Sequence, residues 1–456
     1  MNLRYTTAKG ILALMICTVI NGCTWEEEFL DTKPNQSLIV PATLDDYEKL
    51  LKNNTVFNLF RDPALGLVSS DDYNTISVNT YRNAYIWARD IYEGETYGEN
   101  EWRNAYTQVY YANTVLEGIE RLTISPSQQN DFNRVKGMAL FFRSWAFYNL
   151  VQTYAMPYDP VTSETDLGIP LRLTANLNVR VTRHTVKECY DQILKDLKEA
   201  LNLLPPEVTY KTQPSGLATL GFLSRIYLAI GNYDQALQYA DEYLHRNSEL
   251  TDYNSLSRTS YSIHTDFLGE DAFHTSLTTT RVTSRTRAII DPALIATYND
   301  NDLRKTLLFT INSSGDYTFT GTYNYNGYPY SGIATDEIYL IRAECYARNG
   351  EAGAAINDLN TLLSHRWNSD AEFKPYEAAN AEDALDLVLN ERRKELIFRG
   401  LRWTDLRRLN KEDRFKVTLT RTINGQTYTL PPNDPRYALP LPDSETVLNG
   451  LQQNPR

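Results

Sequence analysis

Apolar side chains recur at spacings of three and four residues along much of the chain, which is the period of one face of an α-helix. The stretch that begins near Trp102 keeps this period as far as Ile119. A second stretch, about 133–154, is apolar on nearly every face, a pattern typical of a buried helix. Its large apolar side chains are Met138, Phe141, Phe142, Trp145, Phe147 and Leu150. The pattern predicts two long helices, the second of them in the core.

A third helix has its own start and stop signals. Thr185 and Glu188 precede an apolar period at the spacing of a capping box, in which each side chain binds a free backbone N–H of the first turn. Pro205 and Pro206 follow the last apolar position, and proline cannot continue a helix. We predict a helix that begins at Val186 and ends before these prolines.

Two later segments share one spacing of tyrosine, glycine and alanine. The two sets are Tyr227, Gly231 and Ala236, and Tyr346, Gly350 and Ala355. In each, we expect one helix to end at the glycine and a second to follow, with the small alanine where the pair packs closely. This resembles the helix–turn–helix unit of tetratricopeptide repeats. Because such units stack, the two earlier helical stretches are candidates for degenerate repeats.

Other regions lack a sustained period. Residues from about 35 to 100 and from about 250 to 335 are rich in Thr, Asn, Gly and Tyr, which predicts loops, short strands and brief helices. We also predict an irregular tail after Leu409, interrupted by Pro431, Pro432, Pro435, Pro440 and Pro442. The sequence therefore predicts a mainly α protein with a tetratricopeptide-like helical-hairpin scaffold, mainly at 102–246 and 337–409. Long irregular loops with a few short strands, mainly at 35–100 and 250–335, would complete the fold. Loops this long in a compact protein are usually functional, and we expect them to face a bound ligand.

The first 22 residues have the features of a secretory signal. Arg4 and Lys9 precede an apolar run from Ile11 to Ile20, which is shorter than the about 20 residues that span a bilayer. The segment Ile20-Asn21-Gly22-Cys23 resembles the lipobox of bacterial lipoproteins, where the cysteine thiol receives a diacylglycerol. We predict a lipoprotein signal peptide at 1–22, removed from a single domain at 23–456, and lipidation of Cys23. Ordinary secretion with an incidental cysteine is the alternative.

The net charge of the chain narrows the choice of partners. The formal net charge is −12, which argues against nucleic acid and against electrostatic docking on anionic lipid.

The two remaining cysteines, Cys189 and Cys345, fall on predicted helices. Because a chain of this length has an ample core, we predict packed thiols there, with one disulfide as the alternative.

Motifs for metal binding or catalysis are weak. The five histidines lie far apart, at His184, His245, His264, His274 and His365, and there is no phosphate-binding glycine loop or nucleophile elbow. Asp300 and Asp302 lack the glycine and the closing glutamate of a calcium loop. The sequence predicts no enzyme activity, no catalytic residue, no metal and no cofactor.

The most charged helical segment is interpreted as structural. Glu391 and Lys394, like Asp405 and Arg408, stand three residues apart, the spacing of ordinary ion pairs on a helix surface. We expect these charges to stabilise helices rather than to form an active site.

Tyrosine-rich loops are the positive signal for ligand binding. The chain has 32 Tyr and 6 Trp, and two clusters fall in the predicted loops, beside carboxylates or side-chain amides. A sugar ring offers an apolar C–H face and a hydroxyl edge, which suit aromatic rings beside such polar groups. The candidate ligand-binding residues are Asp72, Tyr81, Tyr85, Trp87, Tyr323, Tyr325, Tyr328 and Tyr330. We expect Trp87→Ala or Tyr325→Ala to weaken binding without unfolding, whereas packing of these rings onto the scaffold is the alternative.

Several separated blocks together resemble the SusD/RagB-like family of outer-membrane nutrient-binding lipoproteins. They occur in the family's order, from the amino terminus to the carboxyl terminus. The blocks are Cys23 with Phe29-Leu30-Asp31 and Pro34; Ala139 and Arg143 with Leu150, Tyr154 and Gly168-Ile169-Pro170-Leu171; Tyr339-Leu340-Ile341-Arg342-Ala343-Glu344; Asn390-Glu391-Arg392 with Glu395-Leu396, Gly400, Arg402 and Asp405-Leu406; and Leu439-Pro440-Leu441-Pro442 with Gln453-Asn454-Pro455. The Arg456 ending and the rather short chain depart from the family's pattern.

The resemblance implies a mostly helical, starch-binding-like lipoprotein that packs on a SusC-like TonB-dependent outer-membrane transporter. It would capture an oligosaccharide and deliver it to that transporter. The acidic run Glu26-Glu27-Glu28 after Cys23 is similar to signals for export to the outer leaflet, which implies a lipid-anchored protein exposed at the cell surface. The alternatives are a peptide-binding member of the same family, a helical-repeat adaptor in envelope assembly and a lipid-anchored hydrolase.

Overall fold

A computed structural model describes residues 41–75, 81–94, 100–257, 262–263, 267–280 and 282–456. Its α-helices, in chain order, are α1 (Leu44–Leu51), α2 (Asn54–Phe57), α3 (Leu65–Ser69), α4 (Arg82–Tyr85), α5 (Asn100–Ile119), α6 (Gln129–Tyr154), α7 (Val186–Leu203), α8 (Gly216–Ala229), α9 (Tyr233–Arg246), α10 (Pro292–Ile295), α11 (Leu303–Leu307), α12 (Thr335–Arg348), α13 (Ala352–Ser364), α14 (Ala381–Glu395) and α15 (Arg402–Leu409). The strands are β1 (Tyr73–Thr75), β2 (Asp271–Phe273), β3 (Ala288–Ile290), β4 (Phe309–Ile311), β5 (Tyr317–Phe319), β6 (Ile333–Ala334), β7 (Leu419–Ile423) and β8 (Gln426–Leu430). The predicted mainly α class is confirmed.

The long helices form a continuous series in which each packs on its neighbours. The α6 helix lies between α5 and α7, α8 packs on α7 and α9, and α9 packs on α12, which contacts α13 and α14. As predicted, α6 is buried on nearly every side from Val135 to Tyr154. Its Trp145 ring lies 4.7 Å from Phe222 of α8 and 5.0 Å from Phe273 of β2, so aromatic packing joins the scaffold to the strand region.

The helix boundaries follow the local signals. Thr185 accepts a hydrogen bond from the Glu188 backbone N–H at 3.1 Å, and the Glu188 carboxylate accepts one from the Thr185 N–H at 2.8 Å. The helix that begins there ends at Leu203, before the two prolines. The predicted capping box and stop are both confirmed.

The two predicted helical hairpins are present with matching turns. Gly231 and Gly350 have φ of +75° and +87°, a region that glycine enters without a steric penalty. The residue after each glycine donates its N–H to the carbonyl of the tyrosine in the pattern, Tyr227 at 2.9 Å and Tyr346 at 2.8 Å. Both alanines of the pattern, Ala236 and Ala355, are fully buried where the two helices meet.

Short antiparallel ribbons connect the loop regions to the scaffold. The β1 strand pairs with β3, β2 with β6, β4 with β5, and β7 with β8. The β1–β3 ribbon aligns Tyr73 with Ile290, so the loops before α5 lie against those that follow α9. The β1–β3 pairing therefore joins the two predicted loop regions to each other beside the helical scaffold.

The prediction of an irregular tail after Leu409 is wrong for residues 419–430. This segment is the β7–β8 hairpin, closed by Asn424 and Gly425 with φ of +51° and +79°. An Asn-Gly pair is a strong sequence signal for a two-residue hairpin turn. The nearby prolines suggested an irregular segment, but they lie just after the second strand and do not interrupt the hairpin.

The charged helix pairs form as predicted, but their placement on a helix surface is wrong. Glu391 binds Lys394 at 2.7 Å and Asp405 binds Arg408 at 2.9 Å, and all four side chains are buried. Other elements bind each pair: Arg304 of α11 reaches Glu391 at 2.6 Å, and Glu344 of α12 reaches Arg408 at 2.6 Å. Burial of charge is tolerated only when each group is paired, and these contacts supply that pairing.

The thiols of Cys189 and Cys345 are free and buried, as predicted. Burial, the largest influence, raises the pKa of Cys189 to about 12, so the thiol stays protonated at neutral pH.

Residues 43–456 form one compact unit. Among the described helices, none combines the length and apolar character needed to span a membrane. The predicted cleavage of the signal peptide between residues 22 and 23 lies outside the described residues and stays a prediction.

Candidate functional site

A cavity of about 200 Å³ lies in the second loop region, between strand β5 and the segment after β2, and Phe398 of the α14–α15 connection also lines it. We call it the loop cavity. Aromatic rings and short polar side chains alternate around it. Its lining residues are Thr279, Thr280, Thr283, Ser284, Arg285, Phe319, Thr320, Asn326, Gly327, Tyr328, Pro329 and Phe398.

Aromatic contacts fix the floor and one wall of the loop cavity. Phe319 of β5 stacks on Phe398 with ring centroids 4.8 Å apart. Tyr328 packs against Phe60, from the first loop region, at 3.8 Å. Phe60 and Phe398 have φ of +57° and +60°, an uncommon region for bulky residues that marks a functional or tightly constrained position. The rings on this side of the molecule are therefore held in place by backbone geometry as well as by packing.

Polar groups along the loop cavity are organised by short-range hydrogen bonds. The Asn326 side-chain oxygen accepts from the Tyr328 N–H at 3.2 Å, and the hydroxyls of Thr280 and Thr283 lie 2.5 Å apart. These contacts fix the positions of hydroxyl and amide groups that line the cavity, and such groups have further donor and acceptor capacity for a hydroxyl-rich ligand.

Tyr325 is the exposed aromatic residue of this region. Its side chain is 49 % exposed, and its ring meets Phe267 edge to face at 6.2 Å. A ring presented in this way offers a flat apolar surface to solvent, and the next residue along the chain, Asn326, lines the loop cavity. Tyr325 and Tyr328 are the two predicted ligand-binding residues that lie at or beside accessible space.

Two candidate residues of the first cluster, Tyr85 and Trp87, pack on a buried arginine. The guanidinium carbon of Arg421, on β7, lies 3.5 Å from the Tyr85 ring centroid and 4.6 Å from that of Trp87. Trp87 donates its indole N–H to the Ser69 carbonyl at 2.9 Å. Burial, without a carboxylate bonded to it, lowers the pKa of Arg421. Tyr85 and Trp87 thus hold the β7–β8 hairpin against the first loop region.

Asp72 and Tyr81 of the same cluster are also buried. The Asp72 carboxylate binds Arg393 of α14 at 3.0 Å, and Tyr81 precedes α4 with a φ of +61°. The sequence pattern detected these residues as a group but not their partners, because Arg393 and Arg421 are more than 300 residues away along the chain.

Tyr323 and Tyr330 point inward from the second loop region. Tyr323 donates its hydroxyl hydrogen to Asp336 at 3.0 Å, and Tyr330 donates to Asp271 at 2.7 Å. The guanidinium of Arg399 lies 4.9 Å from both rings and binds Asp336 at 2.5 Å. In the described conformation these two tyrosines tie the loop to α12 and β2. Ligand contact by any of the eight candidates stays a prediction, and Cys23 lies outside the described residues.

The aspartates considered for a calcium loop have cationic partners. Asp302 binds Arg304 at 2.7 Å, and Asp300 binds Lys305 at 2.6 Å. Their oxygens are therefore engaged in ion pairs in this structure.

Comparisons with known proteins agree on one family. Residues 28–228 match a family model described as starch-binding associating with outer membrane, and residues 311–456 match the model of the SusD family. A SusD-like protein P2 from Formosa agariphila is 23 % identical over 422 residues, which cover 78 % of this chain and 79 % of that protein.

Solved structures show the same fold. A SusD superfamily protein from Bacteroides thetaiotaomicron superposes with a TM-score of 0.71 at 23 % identity, covering 91 % of this chain and all of that one (100 %). A SusD-like carbohydrate binding protein from Bacteroides vulgatus gives a TM-score of 0.68 at 23 % identity, covering 90 % and 97 % of the two chains.

Proposed function

The chain belongs to the SusD/RagB family, and on that premise we propose that it is a surface lipoprotein that binds an oligosaccharide and delivers it to a TonB-dependent outer-membrane transporter. The family model that matches residues 28–228 is described as starch-binding and associated with the outer membrane. A structural relative from Bacteroides vulgatus is named a carbohydrate binding protein. Both descriptions support a sugar as the ligand, and the first also supports the outer membrane as the location.

The observation that carries the proposal is the exposed ring of Tyr325, which stands close along the chain to Asn326 and Tyr328, two residues that line the loop cavity. An aromatic ring covers the C–H face of a sugar, while hydroxyl and amide groups pair with the sugar hydroxyls. Tyr325, Tyr328 and Asn326 lie within four residues of one another and supply both kinds of group. This arrangement binds and orients a saccharide without any group assigned to cleave it.

Binding tests the sugar assignment directly. We expect Tyr325→Ala and Tyr328→Ala to weaken binding of an oligosaccharide selected from a glycan panel by roughly tenfold each, equivalent to about 1.4 kcal/mol. Isothermal titration calorimetry measures the affinity, and the melting temperature reports on folding. Tyr210→Ala is the matched control, because Tyr210 is 65 % exposed and lies outside the loop cavity.

Three results would contradict parts of this proposal. Unchanged affinity in both loop variants would place the glycan elsewhere on the chain. Binding to a peptide panel with no binding to glycans would remove the sugar assignment and keep the transport role. Release of shorter products from a bound polysaccharide would indicate a hydrolase.

The delivery step is tested by its partner. We expect a TonB-dependent transporter to co-purify with the tagged, membrane-anchored chain after mild detergent extraction. Recovery of envelope-assembly proteins in place of a transporter would favour the helical-repeat adaptor.

A further inference from the structure

A second cavity, of about 680 Å³, lies between α5, the 170–181 loop and the carboxyl-terminal segment 445–451. We call it the α5 groove. Its volume falls within the range of about 300–1,000 Å³ that is typical of small-molecule sites. None of the candidate residues of the two loop regions lines it, and it shares no lining residue with the loop cavity.

An aromatic stripe runs along the floor of the α5 groove. Trp102, Tyr106 and Tyr110 stand four residues apart on α5 and therefore share one face of the helix. Trp102 and Tyr106 are in ring contact at 4.8 Å, and Tyr110 is 40 % exposed. Trp102 is buried at 4 % exposure and supports the stripe from below. The accessible rings are those of Tyr106 and Tyr110, which stand about 6 Å apart along the helix axis, close to the length of a sugar unit.

Positive charge is concentrated around this stripe although the chain as a whole carries −12. Arg103, Arg172 and Arg180 line the groove with a single carboxylate, that of Glu445. The three guanidinium groups donate to neutral oxygens, those of Asn100, Val179 and Asn449. Across the described residues, none of the three has a carboxylate within ion-pair distance.

The one carboxylate of the groove is already engaged on both oxygens. Glu445 accepts from the Trp102 indole N–H at 3.0 Å and from the Asn449 amide at 2.8 Å. Its charge fixes the tryptophan and the carboxyl-terminal segment. The arginines therefore keep a net positive field in the groove, with guanidinium donors available for an anion.

The wall formed by the 170–181 loop is attached firmly to the scaffold. Arg183 donates to the carbonyls of Gly168 and Gln452 at 2.7 and 2.9 Å, and Asn113 donates to the Arg172 carbonyl at 2.8 Å. Apolar side chains cap the rim: Leu177 is 70 % exposed and Leu448 is 78 % exposed. A pre-formed groove with an aromatic floor, a basic wall and an apolar rim suits a rigid, partly apolar and negatively charged ligand.

We propose that the α5 groove binds an acidic oligosaccharide, one whose sugar units carry carboxylate or sulfate groups. The rings of Tyr106 and Tyr110 stack on the sugar faces, while the arginines pair with the anionic groups. This site goes beyond the proposed function at the loop cavity and is independent of it. A neutral sugar would use the aromatic stripe and leave the arginines without partners.

The test compares an acidic sugar with its neutral form. The probes are an oligogalacturonate and its fully methyl-esterified form, which keeps the rings and removes the charge, and a sulfated galactan oligomer serves as the second anion. The full chain is purified in detergent, and binding is measured by calorimetry at low and high salt. We expect the free acid to bind at least tenfold more tightly than the ester, and added salt to weaken only the acid.

Matched variants assign binding to the groove. We expect R103Q/R180Q to weaken the acid at least tenfold and to leave the ester unchanged, and Tyr110→Ala to weaken both. Arg121→Gln is the control: it removes one positive charge from an exposed position outside the groove and should have no effect on either probe. Equal melting temperatures of the variants and the wild-type chain will show that folding is intact.

The outcomes separate this site from the loop cavity. If Tyr328→Ala abolishes binding of the acidic sugar and R103Q/R180Q does not, the α5 groove is not the binding site and the acidic sugar binds at the loop cavity. Absence of acid binding, together with neutral-glycan binding that depends on Tyr325, overturns the inference and retains the proposed function. A preference for the sulfated over the carboxylated probe, lost in R103Q/R180Q, keeps the groove and identifies its anion.

Discussion

At the scale of single residues, burial decides what an aromatic side chain does. Trp87 and Tyr325 belong to similar tyrosine-rich loops, yet Trp87 is 1 % exposed and Tyr325 is 49 % exposed. The expectation that both can be truncated without unfolding therefore stays a prediction for Tyr325 and is revised for Trp87. A buried indole that contacts Arg421 and bonds to Ser69 contributes to the folded state.

We predict that Trp87→Ala lowers the free energy of unfolding by about 3–5 kcal/mol, because it leaves a cavity and removes the partner of a buried carbonyl. Urea unfolding monitored by circular dichroism measures this loss. Tyr325→Ala is the control and should change stability by no more than about 0.5 kcal/mol. An equally small effect at Trp87 would show that its loop is not held by this side chain.

Glu101 gives a prediction about pH. It is buried at the start of α5, where one carboxylate oxygen accepts from the Leu65 N–H at 3.1 Å. Burial, the largest influence, raises the pKa of Glu101 to about 7. Because the folded state binds this proton more tightly than the unfolded state, its contribution to stability is complete below about pH 4.5 and is lost as the pH rises towards 7.

We therefore expect Glu101→Gln to be more stable than the wild-type chain at pH 8, by up to on the order of 3 kcal/mol, and the difference to vanish at pH 4. Unfolding in urea across this pH range measures it. Burial also raises the pKa of Asp62, to about 6, and this group titrates in the wild-type chain and in the variant alike. The effect of Glu101 is therefore the difference between the two curves. Glu93→Gln, at an exposed position, should follow the wild-type curve, and a Glu101→Gln curve parallel to it would rule out this assignment.

At the scale of elements, the helical hairpins depend on backbone conformation at the turn. A Cβ added at Gly350 or at Gly353 would meet no atom within 4 Å, so space does not distinguish the two positions. Gly350 has a φ of +87° in the turn between α12 and α13, whereas Gly353 lies within α13.

We predict that Gly350→Ala destabilises the protein by roughly 1–2 kcal/mol through its left-handed backbone. Gly353→Ala should stabilise it by about 0.5–1 kcal/mol, because alanine loses less conformational entropy in a helix. Chemical unfolding of both variants gives the two signs. Destabilisation by both would mean that the turn conformation is not the cause.

Buried ion pairs are the second feature at this scale, since they join the scaffold elements to the loops. Although burial alone would raise it, the guanidinium groups of Arg408 and Arg348 hold the pKa of Glu344 at about 2. Arg408 binds both oxygens of Glu344, at 2.6 and 2.7 Å, which connects α15 to α12. The charges of the 391–408 segment thus fix the relative position of helices rather than solvate their surfaces.

At the scale of the whole molecule, the predicted lipid anchor sets the location. We expect Cys23→Ala to abolish incorporation of labelled fatty acid and to release the protein from the membrane fraction, because the acyl chains provide the apolar attachment. Cys189→Ala is the control, since its thiol is buried in the core, and should remain lipidated. Continued labelling of Cys23→Ala would show that another residue is acylated.

The sequence by itself determined the features that depend on near neighbours along the chain. The capping box at Thr185, the glycine turns at positions 231 and 350, the buried α6 helix and the mainly α class all follow from short-range spacing, and all are confirmed. The Asn-Gly turn of β7–β8 was also readable from the sequence but was masked by the prolines nearby.

Only the tertiary structure decided which rings are buried and where cavities form. Tyr85 and Trp87 pack on Arg421, more than 300 residues later, and no local pattern announces such a partner. The α5 groove likewise joins one helix, one loop and the carboxyl-terminal segment, none of which carries a ligand signal alone. Periodicity fixes which face of an element is apolar, whereas exposure depends on the distant segment that folds against that face.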